Sequence, residues 1–145
     1  MADFGAIADA IAARFLGTTP PSGQPSIRLA TADLPNGITV TPCFLVFEPD
    51  DEWMAGPGGG RRGTMTFRCR LVLPASDEPR TQRAAMGWRT ALLSRLDGYS
   101  QLGGAVGVWQ AVITNTATGT LSYGGADWPS VEVTVLCSIT EAQSA

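Results

Sequence analysis

Between Gly56 and Gly60 the sequence reads GPGGG, and an arginine pair, Arg61 and Arg62, follows at once. Glycine-rich loops beside a basic residue are how nucleotide-binding proteins surround a polyphosphate with backbone N–H groups. Two details argue against that chemistry. A phosphate loop opens a helix whose N-terminus faces the anion, whereas TMTFRCRLVL (64–73) has the two-residue period of a strand, and the Lys-Ser/Thr pair is absent. Just upstream, Glu48, Asp50, Asp51 and Glu52 could in principle gather a divalent cation. They lack the alternating spacing around a central glycine of an EF-hand, and an acid-rich, solvated hairpin end is the commoner meaning of such a run, so no metal site is expected.

The remaining chemistry is narrowed by what the chain does not contain. It has no histidine, which removes Ser-His-Asp catalysis and His-based zinc sites. Its three cysteines, Cys43, Cys69 and Cys137, are widely separated, form no CxxC pair, and each sits in an apolar run. Buried free thiols in a reducing compartment are therefore expected, with no disulfide framework. Ten basic residues, all arginine, against 13 acidic ones leave a net charge of −3, so any anion binding would be local. Trp53, Trp109 and Trp128 fall near expected strand ends or loops, where tryptophan is more often a core edge or an interface anchor than a platform for bases. No catalytic constellation and no cofactor site emerge. The N-terminal MADFGAIADAIAARFLG lacks a basic start and a long apolar core, and no apolar run reaches membrane-spanning length, so a soluble protein made in the cytosol is expected.

These residues must be positioned by a small fold. The 145 residues suit a single domain, 1–145, with a real core. Phe4, Ile7, Ala8, Ile11 and Phe15 recur at helical steps, with Gly17 after them, which predicts a helix over 4–16. SIRLATADL (26–34) reads as a possible short strand. Asn36-Gly37 signals a turn before a strand over 38–48, with Pro42 marking a bulge or an edge. Alternation of Met65, Phe67, Cys69, Leu71 and Leu73 predicts a strand over 64–73 that pairs with it, leaving 49–63 as a long mobile tip. A second helix is expected over 79–97, capped by Ser76 or Asp77, started by Pro79 and stopped by Gly98. On a wheel of about 100° per residue, Arg89 falls within its apolar stripe of Ala85, Trp88, Leu92 and Leu96, while Arg80, Arg83 and Arg95 fall on the other side. The bland account of Arg89 is a packed stem whose head snorkels or pairs with a carboxylate; the sharper one is a salt bridge to a neighbouring subunit. Strands are expected over 106–114 and 130–139, with a turn around Thr118 and Gly119 and a loop at GADWPS. The class is α+β, a mainly antiparallel sheet with two helices packed on one face and a long hairpin loop.

A short N-terminal amphipathic helix, the Pro-rich loop TTPPSGQP, a hairpin tipped by MAGPGGGRRG, one mid-chain helix and a final strand set resemble, over nearly the whole chain, the tail terminator proteins of long-tailed (siphovirus-type) bacteriophages. The likeness is one of layout, since that family has no short diagnostic motif. It implies a homo-oligomer, a hexameric ring seated on the last ring of the tail tube protein. There it would stop polymerisation and present its other face to the head-proximal connector or neck protein. It implies a virion protein assembled in the host cytoplasm, with no enzyme activity, no cofactor and no membrane partner. Arg61, Arg62, Trp53, Met54 and Arg89 are then the candidate interface residues, with the arginine pair facing an acidic partner ring or, transiently, DNA in the lumen. A neck or head-completion protein is the alternative, ahead of a tube subunit or a small-ligand-binding domain; a tip that is a surface excursion with no partner also stays open.

Overall fold

In a computed structural model of the chain, residues 3–74, 78–99, 101–104 and 107–141 are described. They form a mixed six-stranded sheet with two helices, an α+β fold. Helix α1 runs Phe4–Leu16, the expected span, because its ends are written locally: the Asp3 carboxylate accepts from the Ala6 N–H at 3.0 Å, and the Gly17 N–H bonds back to the Phe15 carbonyl. Strands β1 (Leu29–Thr31) and β2 (Cys43–Val46) pair in parallel, which makes the sheet mixed. The strand expected from residue 38 thus begins only at Cys43. Pro42 has no N–H for a ladder; the Thr41–Pro42 peptide is cis, and the Pro42 carbonyl accepts from Arg28 N at 2.9 Å.

The long mobile tip is corrected outright. Residues 50–55 form strand β3 (Asp50–Ala55), which pairs antiparallel with the first half of β4 (Arg61–Val72), while β2 pairs with its second half. Only 56–60 remain as a turn, closed by Gly56 N–H to the Gly60 carbonyl at 2.8 Å, and Arg61 and Arg62 belong to a strand. Among the described residues β4 is the strand that β3 pairs with, so weak strand propensity in DDEWMA is overridden by the partner.

Helix α2 spans Glu78–Leu93, shorter than expected; the chain then continues through turns to Gly98, whose φ of 69° ends them. The capping expected from Ser76 or Asp77, and the strand start at Val106, lie outside the described residues. Strand β5 (Val108–Tyr123) runs straight through Thr118 and Gly119, which pair with Val131 and Ser130 of β6 (Ala126–Glu141), so neither the expected turn nor the GADWPS loop exists. The actual turn is Gly124-Gly125, both at positive φ (61° and 81°), the backbone of a tight two-residue hairpin. The sheet order is β1-β2-β4-β6-β5.

Alternation along the central strands sorts the core. Met65, Phe67, Cys69 and Leu71 of β4 join Val131, Val133, Val135, Cys137 and Ile139 of β6 in one cluster with Ile7, Ile11 and Phe15 of α1 and Ala85, Trp88 and Leu92 of α2. Phe15 stacks on Phe44 of β2 with ring centroids 4.7 Å apart. A smaller cluster, built on Cys43, Leu45 and Val72, occupies the alternate positions, with Leu121, Tyr123 and Trp128 of the β5–β6 hairpin packed against it. Beyond the expected stripe of α2, Arg95 follows the helix rather than lying on its outer side. Its Nε donates to the Arg14 carbonyl and the Arg14 Nε donates to the Arg95 carbonyl, both at 2.8 Å, while the Arg14 guanidinium lies 4.1 Å from the centre of the Tyr99 ring. Burial, then the neighbouring Arg14 charge, lowers the Arg95 pKa, which Tyr99 partly restores.

Candidate interaction surface

The β3–β4 register sets four of the five candidate residues together: Trp53 opposes Gly63, Met54 opposes Arg62 and Ala55 opposes Arg61. Gly63 is needed for close approach. A Cβ there would stand 2.3 Å from the Glu52 carbonyl oxygen and 2.6 Å from Trp53 Cε3, so the missing side chain gives the indole its seat. The indole Nε1 donates to the Asp51 carboxylate, and the Arg61 guanidinium lies 5.2 Å from the ring centre, within cation–π range. Trp53 also packs against the main core. Trp53 and Arg61 therefore belong to the side of the sheet that carries that core, and alternation sends Met54 and Arg62 to the other side.

On that other side Met54, Arg62, Thr64, Trp109 and Ser138 line a groove of about 290 Å³. Met54 is 63% and Trp109 54% exposed. Trp109 owes its place to a β-bulge: Val108 pairs with Ile139 and Gln110 with Ser138, so Trp109 is the extra residue between them. Two large apolar side chains beside a guanidinium suit a protein partner that offers an apolar anchor and a carboxylate, because aromatic, methionine and arginine side chains concentrate binding energy at interfaces. The importance of Trp109 was half legible, as a tryptophan at a strand end; the bulge that turns it into the groove has no signal in the residue pattern.

Arg89 does not join this groove. Its Nε donates to Thr116 Oγ1 and its Nη2 to the Thr116 carbonyl, both at 3.1 Å, so its head is held within the chain by a hydroxyl and a backbone oxygen. All three cysteines are buried free thiols. Burial raises the pKa of each; Cys137 is pushed up to about 12, and Cys69 is raised by burial and then by the nearby Cys137. Among the described residues no cluster of potential ligands could hold a metal ion, and no helix is long and apolar enough to cross a membrane. The exposed Arg68 meets Asp50 at 3.7 Å, and the half-buried Arg70 meets Glu132 at 3.0 Å. No protein-family model matches this chain, and no curated protein matches it either.

Proposed function

We propose that the chain is a tail terminator of a long-tailed bacteriophage. In this reading six copies close into a ring on the head-proximal end of the tail tube, halt its growth, and offer the opposite face of the ring to the connector. The observation that carries it is the groove beside the β3–β4 turn, where an exposed apolar pair, Met54 and Trp109, flanks Arg62 on a stiff pair of strands. Each subunit of a closed ring uses two different patches, and an exposed apolar anchor beside an arginine at one end of the sheet is a natural first patch. Both helices are read as covering one face of the sheet, because they share one apolar cluster, which leaves the groove side for neighbours. On the groove side Arg62 faces the acidic partner ring or touches DNA passing through the lumen. No catalytic step or cofactor enters, and the protein resides in the virion after assembly in the host cytoplasm.

Electron microscopy of tails carrying a tagged copy tests the reading. One terminal ring at the head-proximal end is the expected result, with overlong, headless tails when the protein is withheld. Label along the whole tube would make it a tube subunit, and label on heads that lack tails would make it a neck protein.

A further inference from the structure

The three edges of the sheet are unequally protected. Strand β1 is three residues long. Strand β3 carries Asp50, Asp51 and Glu52 and is bracketed by Pro49 and Pro57. Shortness, charge and proline are the usual means of blunting an edge. Strand β5 has none of them: VWQAVITNTATGTLSY is 16 residues without a charge or a proline, and its outer side pairs with no described strand.

Its backbone directions can be assigned. Leu73 N–H donates to the Pro129 carbonyl, so odd-numbered residues of this part of β6 turn their backbone groups toward β4 and even-numbered ones toward β5. Ser130 and Glu132 thus bond Gly119 and Ala117, and the groups of Thr116, Thr118, Thr120 and Ser122 point outward. The Arg89 bond to the Thr116 carbonyl agrees, and it also occupies the edge at that point. Farther back, the end of α2 and the turn after it share with residues 111–113 the lining of a cavity of about 400 Å³, so that stretch faces this cavity. Among the described residues no strand covers the outer side of Thr118 to Ser122, whose outward residues Thr118, Thr120 and Ser122 are small and exposed.

We propose that the β5 edge from Thr118 to Ser122 pairs with the same edge of a second copy of this chain, antiparallel and centred on Thr120. The occupant follows from the edges themselves. Pairing two β3 edges would set carboxylates against carboxylates, and β1 is too short, whereas β5 against β5 opposes Thr120 to Thr120 and Thr118 to Ser122 with no charge on either strand. Centring on Thr118 instead would require Thr116, which Arg89 holds. This pairing does not rest on the tail-terminator reading and describes the chain away from any tail.

The test is the mass of the full chain in solution across the micromolar range, by sedimentation or native mass spectrometry. The expected result is a reversible dimer whose dissociation constant rises about 30-fold or more in Thr120→Pro, which removes two symmetry-related N–H···O bonds. Thr120→Pro leaves the β5–β6 ladder intact because that N–H faces away from β6, and circular dichroism checks this. Thr120→Lys, which sets like charges face to face, should dissociate the dimer and recover it as salt is raised. Mild oxidation of Thr120→Cys should give a covalent dimer, since the natural cysteines are buried. A wild-type monomer at all concentrations, a dimer or ring indifferent to both Thr120→Pro and Thr120→Lys, or no cross-link would overturn the proposal. Rings on tails built from Thr120→Pro protein would leave the terminator reading standing while the dimer result stands or falls alone.

Discussion

Two tryptophans sit toward opposite ends of the same side of the sheet and meet different fates. Trp128 packs with Leu121 and Tyr123 against Cys43, Leu45 and Val72, its indole N–H buried without a partner among the described residues. The segment before β2 closes over this end: Tyr123 O–H donates to the Pro35 carbonyl, and a Cβ on Gly124 would stand 3.1 Å from the Asn36 carbonyl oxygen. Trp109 is more than half exposed, beside Met54 and Arg62. An aromatic residue on a strand is thus committed to core or to partner by whether another segment of the chain reaches it. The closed end stabilises the fold, and the open end is available for binding.

The comparison breaks most sharply at Leu45. It is fully buried in the closed cluster, so Leu45→Ala should cost about 2–5 kcal/mol in urea unfolding, through lost burial and the cavity left behind. If the closed end tolerates that truncation with no change in midpoint, it is not a core. Next in size is Gly63→Ala at the open end. The added methyl meets the Glu52 carbonyl and the Trp53 ring, and moving them should cost about 1–3 kcal/mol and shift the Trp53 fluorescence.

Raising the pH probes the main core between the two ends. The Cys137 thiol ionises near its ordinary value of 9.0 when unfolded and only near about 12 when folded. The folded state therefore holds its proton more tightly, and linkage gives stability that is complete below pH 9.0 and is lost as pH rises toward about 12. Unfolding midpoints measured through this window should fall steadily, and thiol reagents should label the native chain only as fast as it opens. A flat profile would mean that the thiol is hydrated.

The smallest effect on stability is expected at the open end. Met54→Ala combined with Trp109→Ala, and separately Arg61→Ala combined with Arg62→Ala, should change stability by no more than about ±0.5 kcal/mol per substitution. Tail joining should suffer instead. A desolvated anchor or charge pair lost at a contact costs roughly 2–5 kcal/mol of binding, weakened by salt in the arginine case. Complementation with each double variant, scored as tail length and head joining, checks this; normal tails joined at normal yield would leave the groove without a partner.

How much of this was legible depended on where the determining interactions lie. Helix α1 came out at its full expected span because Asp3, Gly17 and the spacing of Ile7, Ile11 and Phe15 act within a few residues of one another. The inward faces of 64–73 and 130–139 were likewise readable, since alternation is a local property that burial on one face imposes. Among the candidate site residues, Trp53, Met54, Arg61 and Arg62 were found together because they flank one glycine-rich turn.

Tertiary structure alone decided the rest. DDEWMA became a strand because β4 supplies its hydrogen bonds, and β5 crossed Thr118-Gly119 without turning because β6 lies beside it. Arg89 found Thr116 across 27 positions of chain, and Trp109 reached Met54 only through a bulge. A residue pattern records which side of a strand is apolar, whereas a ladder bond joins peptide groups that every residue but proline carries, so the choice of neighbouring strand leaves little trace in side-chain type.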